Sequence, residues 1–235
     1  MKQPSCEDLR LGKTIEGFSI HSPLGQGPFF RIYGADKGPE EWRLFAWDKL
    51  PTPPAEALKG FEQQAARLSS LKHPSIIPVV GPFTLPDGAI AWAVSQPNAK
   101  NGSVFAAEGV KASQAAAGLA TISGALSAAC SVGAWHPGLS LESLWFSKAA
   151  PFGFVGGFFS WRRLYPELSQ WLPPEEPNPH LAPEGDNTEA SLADSLSTIA
   201  QEIGLRLPAE TPSLQALSEI FAQQRPGFWG RLFGR

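Results

Sequence analysis

Apolar stretches at 18–24, 29–35 and 41–50 read as strands. The first two are broken by Gly25-Gln26-Gly27, the next by the turn residues Asp36-Lys37-Gly38-Pro39. Leu58, Phe61, Ala65, Leu68 and Leu71 then recur at spacings of three and four, which predicts one helix with a single apolar stripe. His73-Pro74 ends it, because the residue before proline is pushed out of the helical region. Two strands are predicted at 76–85 and 89–95 around Pro86-Asp87-Gly88. Beyond Lys111 the pattern turns helical: Leu119, Ile122, Leu126 and Ala129 form a stripe that closes at Gly133. A short strand pair at 144–146 and 152–155 follows, then an irregular proline-rich segment over 156–185. Two further helices are predicted from Leu192, Leu196, Ile199 and Ile203, and from Leu214, Leu217 and Phe221. The chain has no internal repeat. It is an α+β chain, a β-rich half followed by an α-rich half.

Composition narrows the function classes. A length of 235 residues, 43% hydrophobic and 17% charged, suits one large domain or two lobes with a buried core. The net charge of −3 gives no basic field, which argues against nucleic acid as the main partner. Cys6 and Cys130 suggest neither a disulfide framework nor a zinc site, and His21, His73, His136 and His180 lack metal-ligand spacing. No apolar run is long enough to span a bilayer, and the start has no apolar signal core, so a cytoplasmic location is expected. Glu175, Glu176, Glu184 and Asp186 read as solvated acids of a proline-rich loop. Most of the eight tryptophans read as core residues. The aromatic and basic end, 227–235, reads either as a tail folded onto the second lobe or as a docking or membrane-surface peptide.

The order of elements, with its motifs, resembles a bacterial-type Ser/Thr protein kinase. Leu24-Gly25-Gln26-Gly27-Pro28-Phe29-Phe30-Arg31-Ile32-Tyr33 is similar to the glycine-rich loop. Leu71, His73-Pro74 and Ile76 follow at the family's distance, and Gly133-Ala134-Trp135-His136 resembles the approach to the catalytic loop. His180-Leu181-Ala182-Pro183-Glu184 resembles the end of the activation segment, and Asp194 the start of the central helix. The resemblance implies a protein-kinase-like two-lobe fold: an N-lobe over 12–97, a shortened helical C-lobe over 98–226, and a tail over 227–235.

Laid residue by residue onto this chain, the family's chemistry is missing. The phosphate-binding lysine falls on Asp48, and the helix glutamate that orients it on Gln64. The third loop glycine falls on Phe30, the catalytic aspartate on Gly138, the metal-binding asparagine on Ser143 and the metal-binding aspartate on Gly156. Phosphoryl transfer depends on these charges and metals, so their joint replacement implies a catalytically inactive pseudokinase with no cofactor. The frame residues persist: His136, Asp194 as a cap on the catalytic loop, and Glu184 paired with Arg225. By the same resemblance Leu24, Ile32 and Ala46 form a vestigial adenine pocket, Trp145 fills its floor, and Pro97 removes a hinge donor. The function expected is a scaffold or allosteric regulator that binds an unknown protein partner. A metal-independent nucleotide-binding switch is the alternative.

Overall fold

The computed structural model describes residues 10–27, 29–48, 51–109, 112–147, 152–160, 164–165, 167, 188–208, 210 and 212–224. The first lobe is one antiparallel sheet of six strands: β1 (Thr14–Ile15), β2 (Phe18–Gln26), β3 (Phe30–Lys37), β4 (Glu40–Trp47), β5 (Val79–Thr84) and β6 (Ile90–Ser95). Their order is β1-β2-β3-β4-β6-β5. Helix α1 (Ala55–Leu71) crosses between β4 and β5, and its buried face is Ala57, Phe61, Gln64, Ala65 and Leu68. It ends at Lys72, whose backbone is left-handed (φ 46°), immediately before His73-Pro74. That is the stop the proline imposes on sequence grounds.

The sheet is buried on both faces, and this governs the site below. One face carries Phe18, Ile20, Tyr33, Trp42, Leu44 and Ala46. The other packs Phe29, Trp47, Val79 and Trp92 against Phe61 and Ala65 of α1. Successive side chains of a strand point to opposite faces. On β4, therefore, Trp42, Leu44 and Ala46 belong to one layer, and Phe45 and Trp47 to the other.

The second lobe is built round α3 (Ala112–Ser131), preceded by β7 (Lys100–Asn101) and α2 (Gly102–Ala107). Asn101 caps α2 by accepting the Ser103 N–H. A 3-10 turn (Leu141–Ser143) leads into β8 (Leu144–Phe146), which pairs with β7 and with β9 (Gly153–Val155). Helices α4 (Glu189–Glu202) and α5 (Leu214–Gln223) complete the lobe, each capped by a hydroxyl, Thr188 and Ser213. The small residues of α3 allow close approach: a side chain at Gly118 would strike the Phe146 ring. Ser123 and Ser218 tie α3 and α5 together through the carbonyls of Leu214 and Ala120. The strands β1 and β7, the helix α2 and the 3-10 turn are too short to give a periodic signal, and sequence reading misses them. The strand predicted at 76–85 begins only at Val79, because Ile76 and Ile77 turn to the second lobe and bond Val155.

Candidate functional site: the cleft between the lobes

The lobes meet along short backbone contacts and one helix. The Ile77 N–H donates to the Val155 carbonyl (2.9 Å), and the Val155 N–H to the Ser75 carbonyl (2.8 Å). From α1, Arg67 donates to the Gly133 carbonyl at 2.8 Å. Gln64 is 1% exposed, and its amide donates to the carbonyls of Trp135 (2.5 Å) and Phe158 (3.1 Å). The Trp135 N–H reaches back to the Gln64 oxygen at 3.4 Å. Where the resemblance places an acid that pairs with a lysine, a neutral amide clasps two loops of the other lobe.

Beneath this clasp, a cleft with a cavity of about 310 Å³ is lined by Phe45, Ile77, Val94 and Gln96 from the first lobe. His136, Gly138, Ser143, Trp145 and Gly156 line it from the second. Thus Gly138, Ser143, Trp145, Gly156 and His136, singled out from sequence, converge on one place. They are held by hydrogen bonds rather than by charge. The Gly156 N–H donates to the Ser143 carbonyl at 2.9 Å, and the Ser143 hydroxyl to the Ser140 carbonyl at 2.8 Å. A side chain at position 156 would meet Ile77, its Cβ lying 3.0 Å from the Ile77 Cδ1, so that methyl would have to shift by a few tenths of an ångström.

His136 is 1% exposed and neutral. Its Nε2 donates to the Gly156 carbonyl (2.7 Å), its Nδ1 accepts the Gly138 N–H (3.2 Å), and its ring meets Phe158 edge-on. Burial pushes its pKa down to about 4, although the bond to the Gly156 carbonyl acts in the opposite direction. The unfolded imidazole titrates near 6.5, so between that pH and about 4 the unfolded chain binds more protons. The stability this group contributes is therefore complete above about pH 6.5 and lost as the pH falls toward 4, by about 3 kcal/mol in all. Denaturant titrations at several pH values should show the gap between the native protein and His136→Asn shrinking by about that amount on acidification. A gap independent of pH would refute the buried neutral imidazole.

Other sequence expectations are corrected. Ile32 stands opposite Phe45 across β3 and β4, and Phe30 opposite Trp47. The cleft-side face of β4 is therefore Phe45 and Trp47, not Ala46 and Asp48. Ala46 is fully buried on the far face. Asp48 pairs with Arg10 (2.5 Å) and Arg31 (2.8 Å), and Arg10 also holds Asp87. Asp48→Lys, which restores the family's residue at the aligned position, should leave nucleotide affinity unchanged. It should lower stability by about 2 kcal/mol by adding a third cation beside two arginines. Urea unfolding with and without ATP checks both.

Leu24 is 55% exposed at a bulge of β2 and does not line the cleft. Pro97 lines a separate cavity behind the connection, with Leu68, His73 and Phe154, and Gln96 takes its place in the cleft. Asp194 is exposed on α4. Glu184 and Arg225 lie outside the described residues, as does the 227–235 tail.

What sequence reading missed is the filling of the space between sheet and α1. Trp92 stacks on Phe45 (centroids 5.2 Å apart, planes 5° apart) and meets Phe30 edge-on at 5.6 Å. Trp47 stacks on Phe29 at 5.6 Å and approaches Trp92 at 6.4 Å. Phe61 of α1 touches Trp92 at 6.0 Å and stacks on Phe159 at 4.2 Å. Phe30 also folds beneath the glycine-rich loop, where a Cβ on Gly27 would lie 2.6 Å from its ring. A continuous aromatic cluster thus occupies the positions that the resemblance assigns to the third glycine and, in the corrected register, the lysine. The signal was present in Phe29-Phe30 and Phe45-x-Trp47, apolar residues at positions where the family needs small or cationic ones.

An antiparallel sheet with one helix against it, a connecting strand and a helical second lobe, meeting at this cleft, make a protein-kinase-like fold. Solved structures of the PknI kinase domain from Mycobacterium tuberculosis share it. Three forms superpose with TM-scores of 0.60, 0.59 and 0.57 at 15%, 15% and 16% identity. The match covers 91% of this chain and 97–98% of theirs. No family model matches the sequence, and no curated protein does. At this identity the likeness is one of fold. Among the described residues no cluster of metal-ligating side chains occurs, and no helix is long and apolar enough to cross a membrane.

Proposed function

We propose that this chain is a pseudokinase: a cytoplasmic, catalytically inactive protein of kinase-like fold that acts as a protein-binding scaffold or allosteric regulator. It transfers no phosphate and binds no ATP. The observation that carries this reading is the aromatic cluster of Phe30, Phe45, Trp47, Phe61 and Trp92 in the space between sheet and α1. A triphosphate there would lose its hydration to rings that carry no charge to receive it, which is strongly unfavourable. The second lobe supports the same reading. Gly138, Ser143 and Gly156 offer no carboxylate for a substrate hydroxyl or a divalent metal, and the backbone around them is already hydrogen-bonded. What the frame keeps are the ties between lobes, Gln64 above all, so it can hold a fixed surface toward a protein partner.

Incubation with labelled ATP, magnesium or manganese and generic protein substrates should give background incorporation only. Transfer above background that disappears in Ser143→Ala would contradict the reading.

A further inference from the structure

We propose that the cavity behind the connection between the lobes is a binding site for an apolar monocarboxylate, a compact hydrocarbon body with one acidic end. The site lies outside the cleft and goes beyond the function proposed above. Its volume, about 440 Å³, falls within the range of small-molecule sites and exceeds that of the cleft. Leu68 of α1, then Ile76, Ile77 and Val79 of the segment that follows, form an apolar wall in the first lobe. Phe154 of β9 adds the second lobe's share. Burying a hydrocarbon body against this wall supplies most of the affinity.

The polar residues of the lining set the sign of the guest. Lys72, exposed at the left-handed end of α1, makes no ion pair among the described residues. His73 stands beside it, half-buried. Its Nδ1 accepts the Ser75 N–H (3.2 Å), which places the ring proton on Nε2, at the far side of the ring. That N–H has no acceptor among the described residues. Burial lowers the His73 pKa, so near neutral pH the ring donates without adding a second positive charge. Ser69 and Ser95 are the other polar residues of the lining, and none of it carries a carboxylate. An anion therefore meets one ammonium and no repulsion, and a cation meets the reverse. The main chain offers little to a more polar guest. The Ile76 N–H goes to the His73 carbonyl (3.1 Å), the Ile77 N–H to Val155 (2.9 Å) and the Ser95 N–H to Pro78 (2.9 Å). Pro74, Pro78 and Pro97 have no N–H to give. A peptide laid across this wall would leave carbonyls unpaired, whereas a hydrocarbon body needs no donor.

Octanoate tests this, with octanamide and octylamine as the neutral and cationic compounds of the same shape, by isothermal titration calorimetry near neutral pH. Octanoate should bind saturably, with a dissociation constant below about 1 mM. The amide should bind about tenfold more weakly, and the amine should show no saturation. Lys72→Gln should weaken octanoate about fivefold and leave the amide unchanged. Ser69→Trp places an indole at an exposed position of α1 that lines the cavity. It should abolish binding of both acid and amide without lowering the melting temperature. No saturable binding of octanoate, or an amide or amine that binds as tightly, would overturn the inference. So would octanoate affinity unchanged in Lys72→Gln or in Ser69→Trp, and each of these results would leave the proposed function standing.

Discussion

Gln64→Glu, which restores the acid the kinase family carries at this helix position, should destabilise the protein by about 3 kcal/mol and confer no activity. The Gln64 amide donates to two carbonyl oxygens, those of Trp135 and Phe158, from a position that is 1% exposed. A carboxylate there would set one oxygen, in the place of the amide nitrogen, against both carbonyls. The Trp135 N–H, at 3.4 Å, is the donor that reaches it from these loops. The new acid must therefore remain a buried anion or take up a proton, and either costs stability. Gln64→Ala loses the same bonds without burying charge, so it should fall between the two proteins. Denaturant unfolding ranks the three. A glutamate variant as stable as the native protein would mean that α1 is not held as described.

Trp92→Ala should cost about 3–5 kcal/mol, the range for removing a large buried aromatic. Its indole contacts Phe30, Phe45, Trp47 and Phe61, so the cavity left behind would be bounded by rings that stack on one another and cannot simply collapse. Trp145→Ala provides the contrast. Its indole is half-buried at the cleft, and its loss should cost about 1 kcal/mol. If the two variants unfold at the same denaturant concentration, the aromatic cluster is not a principal element of the first lobe. The double variant Trp92→Ala, Phe61→Ala should cost less than the two single changes added together, because both remove the same contact.

The strands and helices long enough to show a repeat were legible in the sequence, and so was the two-lobe order. Helix α1 is the clearest instance. Its stripe of Phe61, Ala65 and Leu68 is the face that packs on the sheet, and His73-Pro74 stops it one turn later. Of the residues that the resemblance singles out in the second lobe, His136, Gly138, Ser143, Trp145 and Gly156 line one cleft. Short local spacings fix those residues, and the connecting turns leave little freedom.

The register of β4 was not legible, for a physical reason. Leu44, Phe45, Ala46 and Trp47 are all apolar because the sheet is buried on both faces there, so over that stretch no alternation with polar residues marks which side faces the cleft. Matching Ala46-x-Asp48 to the family's motif then slips the strand by one residue and exchanges its faces. Only the pairing of Ile32 with Phe45 sets it right. The connection past β6 failed likewise. Gln96 lines the cleft and Pro97 a separate cavity, and the Gln96 N–H is held by the Glu41 carbonyl of the neighbouring strand. Trp145 lines the cleft, while the filling lies deeper, in rings contributed by β3, β4, α1 and β6.

Equilibrium binding of labelled ATP to this chain, with and without magnesium, tests the central claim most directly. If the aromatic cluster takes the place of the phosphates and their cations, no saturable binding should appear in either condition, and the melting temperature should not change. Saturable binding without magnesium would instead mark a nucleotide-binding switch, and micromolar binding that requires magnesium would contradict the account outright.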